Sequence, residues 1–557
     1  MNKVYNTVWN ESIGMWVVTS ELTRKGGQRP RQIRRTVLAG LVAGLLLPSA
    51  PTLATAWDSV TLGSGGTSGS MTLNAGDTAN NTTINSGGQQ HVSREGSATS
   101  TTINSGGQQY VSSGGSATST TINSGGEQYV SNGGSATSTT VSNGGQQYVS
   151  SGGSATSTTI NSGGRLSVFN GSAVDITQNS GGAISTDTSS DLSGANAKGS
   201  FSIAGGSANN MLLENGGYLM VLDGHQASDT TVGSYGTLGV VSGGSATSTT
   251  INSGGWQAVY SGGSATSTTI NSGGKLSVFS GSAVDITQNS GGAIETDTSS
   301  DLSGTNAKGS FSIAGGSANN MLLENGGSLM VLDGHQASDT TVGSYGTLGV
   351  VSGGSATSTT INSGGRQHVS GGGSATSTTI NSGGVQNVND GGSATSTTIN
   401  SGGEQYVYSN GSATSTTVNN GGWQNVFSSG SATSTTINSG GRQHVSGGGS
   451  ATSTTINSGG WQAVYSGGSA TSTTINSDGQ QNVFSGGSAT STTINAGLQY
   501  VSSGGSATST TINGGWQYVS SGGSATSTTI NSGGQQNVSS GGSATSTTIN
   551  SDGWQNV

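Results

Sequence analysis

The chain has 557 residues and no cysteine, and its three prolines, Pro30, Pro48 and Pro51, all precede residue 57. Lack of cysteine excludes structural disulfides and suits a polypeptide that crosses membranes unfolded. Charge is scarce too, at 7% of residues. Seven of the fourteen lysines and arginines lie within residues 1–35, and past residue 56 seven basic residues face twenty-one acidic ones. No basic face exists to neutralise phosphates, so the chain is predicted to bind no nucleic acid. Apolar residues make up only 29% of the total. By composition alone this fits a disordered Gly/Ser-rich polymer. Disordered chains, however, usually carry more charge and proline, and here the few aliphatic residues keep a strict register.

What fills the chain is one sentence repeated: Gly-Gly-Ser-Ala-Thr-Ser-Thr-Thr-Ile-Asn-Ser-Gly-Gly-x-Gln-x-Val. Ile84, Ile103, Ile122, Val141 and Ile160 fall at steps of 19, as do Val92, Val111, Val130, Val149 and Val168. A fixed period of this size marks a solenoid. Nothing recurs at i, i+3, i+4 and i+7, which excludes helix as the main element. The glycine pairs supply the positive φ that tight corners need. Between them lie two stretches, Ser-Ala-Thr-Ser-Thr-Thr-Ile and x-Gln-x-Val, that read as strands. The predicted fold is all-β, a parallel β-helix (β-solenoid) of 19-residue coils, with about 26 coils and a length of roughly 125 Å. Ile103 and Val111 are expected to point inward with Ala117 as small filler, and Asn104 and its equivalents to form an amide ladder near a corner. A lone coil cannot offset the entropy of ordering its own backbone, so stability accrues only along a stack.

The array has divisions. Residues 57–160 are regular repeats, 161–255 a less regular segment, 256–270 one repeat, 271–365 a second copy of the irregular segment, and 366–557 regular repeats that stop in mid-coil. The two copies differ at Arg165/Lys275, Asn170/Ser280, Ser185/Glu295, Ala195/Thr305 and Tyr218/Ser328. The coils at Ile512 and Ile530 arrive after 18 residues, which a shorter corner absorbs.

The front end is an address. Residues 37–47 form an apolar run of eleven, too short for the roughly 20 residues that span a bilayer. The run follows the basic stretch Arg29 to Arg35 and precedes Ala54-Thr55-Ala56, the secretory signal pattern. Residues 1–56 are therefore predicted to be a signal peptide cleaved after Ala56, with Ala54 as the alternative. Residues 1–28 are too few to bury a core, so no folded element is expected there.

Chemistry-bearing residues are sparse. Asp223, His225 and Asp229, repeated at Asp333, His335 and Asp339, could serve acid–base work or hold a metal. With no nucleophile elbow and no second histidine nearby, a solvated loop is the favoured reading. Asp187 with Asp191, and Asp297 with Asp301, are the closest carboxylate pairs, but an active site is normally unique and these come twice. Glu127, Glu404, Arg165, Arg366 and Arg442 occupy the variable position after Gly-Gly, which also takes Gln, Trp and Val and so reads as outward. Trp256, Trp423, Trp461, Trp516 and Trp554 share that position. An exposed row of this kind would stack on sugar rings or partner proteins, or merely fill a face. Calcium-binding Gly-Gly-x-Gly-x-Asp repeats are missing. The sequence thus offers no catalytic residue, no metal ligand and no cofactor site, and the expectation is a non-enzyme. A carbohydrate-active β-helix using Asp223 or Asp187, and a passive stalk for a terminal domain, stand as alternatives.

Two features carry a resemblance. Met1-Asn2-Lys3-Val4-Tyr5, Trp9, Trp16, Ser20-Glu21-Leu22 and Arg24-Lys25 resemble the extended signal peptide region of large type V secreted proteins of Gram-negative bacteria. Together with the nineteen-residue coils, which cover nearly all the rest, they make the chain similar to the passenger of AIDA/TibA-type self-associating autotransporter adhesins. That resemblance implies a right-handed β-helix at the outer-membrane surface or secreted, acting in autoaggregation, biofilm formation and attachment to a host-cell receptor or glycan. The expected route to aggregation is side-to-side pairing of like rods on neighbouring cells. It also implies O-heptosylation of serines by a dedicated heptosyltransferase, with Ser105, Ser112 and Ser116 and their equivalents as acceptors. Such proteins end in a linker helix and an outer-membrane barrel, whereas this sequence stops at Trp554-Gln-Asn-Val557. The expectation is either a fragment or a truncated gene, whose product as written would reach the periplasm without its own anchor.

Overall fold

A computed structural model describes residues 53–557 and the two strands Asn6–Asn10 and Met15–Thr19. The signal-like run 37–47 lies outside the described residues. The two early strands pair antiparallel, with Trp9 opposite Trp16. The sequence reading named no strands there, and the pairing is a local one.

From Ala56 onward the chain winds into about 26 parallel coils at about 19 residues each, all strand and corner, with no helix among the described residues. Each regular coil carries three short strands, shown by Gln108–Val111, Ser116–Thr118 and Thr121–Ile122. They stack in register on the next coil: Val111 on Val130, Ala117 on Ala136, Ile103 on Ile122. The three resulting faces are called here the Gln, Ala and Ile faces. Alternation sends Gln109, Val111, Ala117, Thr120 and Ile122 inward and Gln108, Tyr110, Ser116 and Thr118 outward. Ile103, Val111 and Ala117 are buried as the periodicity predicts.

The sequence reading assigned one strand to Ser-Ala-Thr-Ser-Thr-Thr-Ile. The structure splits it at Ser119, whose φ of 56° turns the chain by a third corner; its N–H donates to the Thr137 carbonyl of the next coil at 2.8 Å. Serine tolerates this because its backbone is tied from coil to coil. The glycine pairs also divide their labour. Gly125 takes the left-handed φ of 69°. Gly126 does not; it is glycine because a β-carbon there would lie 2.6 Å from the Ile103 carbonyl oxygen of the preceding coil.

The core holds an unforeseen component. Gln109 and Gln128 are fully buried. The Nε2 of Gln128 donates to Gln109 Oε1 at 2.7 Å, and Gln109 does the same to Gln90. Thr120 sits between them, donating to Gln109 Oε1 at 3.3 Å and accepting from Gln128 Nε2 at 3.2 Å. The amides form a one-directional ladder in which every group finds its partner one coil away, which is what buried amides require. Where Leu219, Leu238, Leu329 and Leu348 replace the glutamine, the Thr230 and Thr340 hydroxyls are left buried without a partner. Outside, the asparagine ladder forms as expected: Asn104 Nδ2 donates to Asn85 at 2.9 Å and Asn123 to Asn104 at 3.0 Å.

The irregular segments depart from a purely parallel stack. Asp191–Asn196, Gly199–Ala204 and Ser207–Asn209 run as an antiparallel meander within the Ala face, with Leu192 opposite Ile203 and Ile203 opposite Ala208. Asp301–Asn306, Gly309–Ala314 and Ser317–Asn319 repeat it in the second copy. Phe201, Ile203 and Leu192 supply the buried apolar surface that this extra layer needs.

Candidate binding surface

Three outward columns run along the Gln face and its edge, set by the strand period of two. The first is the variable position (Gln108, Glu127, Arg165), the second begins at His91 and Tyr110, and the third follows the buried valine. Because the regular coils stack in register, like side chains stack. His91, Tyr110, Tyr129 and Tyr148 form a parallel pile with ring centroids 4.9–5.1 Å apart. Tyr408 stacks on Phe427, and Tyr465 on Phe484, in the third column. The tyrosine hydroxyls donate two residues back: Tyr129 to Glu127 and Tyr110 to Gln108, both at 2.8 Å. Burial, and then the Glu127 carboxylate, push the Tyr129 phenol far above its ordinary value. Tyr406 is pushed up to about 12, chiefly by its hydrogen bond to Glu404. Tyr129 and Tyr406 are therefore neutral hydrogen-bond donors at any physiological pH.

The five tryptophans all lie outward in the first column, but they do not make a row. One coil separates Trp423 from Trp461, and Arg442 occupies it. The Arg442 guanidinium lies 4.9 Å from the Trp423 ring centre. His444 meets Trp423 and Trp461 edge-on at 5.1 and 5.2 Å. Burial, then Arg442, depress its pKa. The result is a mixed patch of two indoles, an imidazole and a guanidinium. Trp256 donates to Ser277 Oγ at 2.9 Å. Trp516 is exposed, and Trp554 more so.

The other nominated residues fall as follows. Arg165 Nη1 donates to Ser185 Oγ at 2.9 Å, and Arg366 and Arg442 are exposed. His225 and His335 place Nδ1 2.8 Å from Thr188 and Thr298. Asp229 and Asp339 hold the Ser119-type corner with φ of 52°, and Asp223 and Asp333 stay in their exposed turns. Asp187 and Asp297 accept from the backbone N–H of Ser189 and Ser299 at 2.9 and 2.8 Å, capping their own turns, while Asp191 and Asp301 are exposed strand ends. Among the described residues no three His, Cys, Asp or Glu side chains converge as a metal site would require. Ser105 is exposed at a corner, whereas Ser112 and Ser116 are half-buried. Ala54 and Ala56 are exposed, and Ala56 already pairs with Thr78.

Sequence reasoning missed Tyr235 and Tyr345. Both hold a left-handed corner position that is glycine in the neighbouring coils, at φ of 58° and 57°. Both side chains are 78% exposed. The signal was visible as Ser-Tyr-Gly standing where Ser-Gly-Gly is the rule.

Comparison with known proteins assigns the array. A family model described as "Adhesin of bacterial autotransporter system, probable stalk" matches residues 58–107, 103–145, 193–255, 303–365, 367–422, 403–460, 426–479 and 448–497, more than half of the chain. A second, "Extended Signal Peptide of Type V secretion system", matches residues 1–50. Autotransporter CRAC of Citrobacter rodentium is 70% identical over 227 residues, 41% of this chain and 13% of that protein. The autotransporter adhesin/invasin TibA of Escherichia coli is 64% identical over 92 residues, 16% of this chain and 9% of that protein. The matches thus span a small part of each relative's length. A solved structure of a TibC-catalysed, hyper-glycosylated TibA fragment aligns at 31% identity over 90% of this chain and 99% of the fragment, with a TM-score of 0.23. With an extended signal peptide ahead of stacked stalk repeats, the chain belongs to the AIDA family of bacterial autotransporter adhesins, exported passengers displayed at the outer-membrane surface.

Proposed function

We propose that this passenger acts without enzymatic chemistry, holding cells together by side-to-side association of like rods and attaching them to host-cell receptors or glycans. The observation that carries the reading is the in-phase register of the coils. In the regular repeats it turns Ser116, Thr118, Asn104 and Tyr110 into columns in which polar groups recur from coil to coil. A single hydroxyl or amide contact between two rods is weak, but a column meeting a column repeats it many times, and linked weak contacts add as avidity. The low charge of the array favours this, since like rods repel little. Autoaggregation and biofilm formation follow from pairing between neighbouring cells.

The same exposure supports serine modification. Ser105 and its equivalents are open corner hydroxyls and are the first-choice acceptors for a heptosyltransferase; half-buried Ser112 and Ser116 rank below. TibA, a relative by sequence, is the protein whose fragment is described as hyper-glycosylated. Signal cleavage is proposed after Ala56, with Ala54 as the alternative, and N-terminal sequencing of the exported chain decides between them.

The test of the main reading is sedimentation velocity on the purified exported chain, together with settling of cells that display it. Concentration-dependent association and clumping are the expected results. A monodisperse chain on cells that stay dispersed would end the proposal.

A further inference from the structure

Shallow grooves line the corner between the Ile and Gln faces. One, of about 280 Å³, is bounded by Tyr345, Thr347, Arg366 and Val385 and floored by the glycines of three successive corners, a volume just under the usual range of small-molecule sites. Its first wall is strained. Tyr345 adopts a φ of 57° where Gly364 and Gly383, in the next two coils, take 76° and 72°. A bulky L-residue is disfavoured there, and this one gains no burial in return. Tyr345 is one of two tyrosines among the non-glycine corner residues, and its exposed side chain forms one edge of the groove. The second wall is a free cation. Arg366 is exposed and forms no ion pair among the described residues, and the next carboxylate in its column, Glu404, stands two coils away, roughly 10 Å. The floor has no side chains, so a flat ligand can rest against backbone.

We infer that the groove between Tyr345 and Arg366 binds a sugar residue bearing a carboxylate. The pyranose ring stacks on the Tyr345 face, and the Arg366 guanidinium takes the carboxylate by paired N–H donors. This rests on the adhesin reading above and names the class of receptor that it engages. The first copy of the irregular segment supplies a natural contrast. Tyr235 has the same strained corner and exposure, but Trp256 stands in place of Arg366, and the next cation, Lys275, is held by Glu295 at 2.7 Å. That groove offers aromatic walls without a free cation and does not select for a carboxylate.

The test uses the whole exported chain, with the methyl glycoside of N-acetylneuraminic acid as probe and the methyl ester of its carboxylate as control, followed by calorimetry and saturation-transfer NMR. The acid is expected to bind at least ten-fold more tightly than the ester. Arg366→Gln should remove that preference, and Tyr345→Gly should weaken acid and ester alike. Glutamine and glycine are what the repeat itself uses at these positions, so both variants fold. No binding of the acid, equal binding of acid and ester, or a preference that survives Arg366→Gln overturns the inference. Clumping of displaying cells, measured in parallel, separates the two readings: cells that clump without sugar binding sink this inference alone, and sugar binding without clumping sinks the rod-association proposal alone.

Discussion

Lys275 Nζ lies 2.7 Å from Glu295 Oε2 across two adjacent coils, and in the other copy of the segment the same two places hold Arg165 and Ser185, joined at 2.9 Å. Two of the five differences between the copies are therefore one change: the cation and its acceptor altered together. Burial raises the pKa of the Glu295 carboxyl, but hydrogen bonds from Lys275 and Ser277 and the Lys275 charge outweigh it, and the group sits below its ordinary value.

A depressed carboxyl contributes stability that is present above its unfolded pKa and lost as pH falls through the folded one. Both side chains are about a third exposed, so solvent screening keeps the pair within about 1 kcal/mol. Glu295→Gln should lower the denaturant midpoint slightly at pH 7 and not at all well below pH 4. The double change Lys275→Arg, Glu295→Ser should recover most of the loss. A loss that persists in acid would contradict the pairing.

The glutamine ladder makes a sharper claim. Gln128→Leu strands the Gln147 Nε2 and the Thr139 hydroxyl, which both donate to Gln128 Oε1, while Gln109 Oε1 keeps its bond from Thr120; each buried orphan costs about 1–3 kcal/mol. Thr120→Val should destabilise too, by removing the second hydrogen bond of Gln109 Oε1 and of Gln128 Nε2. Thr340→Val should be neutral or stabilising, because that hydroxyl already has no partner between Leu329 and Leu348. Hydrogen exchange at the affected coils reads the local effect, and equal responses at Thr120 and Thr340 would refute the ladder's role.

Tyr345→Gly should stabilise its corner by about 1 kcal/mol, since glycine carries no left-handed penalty. Tyr235→Gly should do the same. A thermal midpoint that falls in both variants would show that the tyrosines pack rather than strain.

His444 is kept neutral by burial first and by Arg442 second, and its buried Nε2 has no hydrogen-bond partner. A histidine with a lowered folded pKa contributes stability that is full above its unfolded pKa and lost as pH falls through the folded one. Acidification to below the ordinary histidine range should therefore disturb the Trp423–His444–Trp461 contact, read as a change in tryptophan fluorescence. His444→Asn should abolish that step, and a step that survives the substitution would assign it elsewhere.

The period of 19 made most of the architecture legible. Ile103, Val111 and Ala117 point inward, and Asn104 forms its ladder, because a strict repeat in a parallel stack gives each residue its own equivalent as a neighbour. Gln109 was unreadable for the same reason viewed from the other side. Alternation puts Gln109 on the same face as the inward Val111, but a polar residue belongs inside only if its partner is the next coil's copy of itself, and that pairing is not written in the composition of one repeat. Ser119 hid as one more serine among many. The tryptophan row was over-read: sharing a column does not mean standing in consecutive coils, and Arg442 is the proof. Tyr345 broke the local pattern openly, but its exposure is a property of the corner alone.

A stack of near-identical coils would close equally well with one coil skipped or paired to the wrong neighbour, since every ladder bond would re-form. The leucines that replace glutamine at Leu219 and Leu329, with the meanders beside them, remove that degeneracy. A leucine offered to a glutamine's site leaves amides stranded, so these segments serve as landmarks that fix which coil docks where, and misthreading carries its penalty at those points.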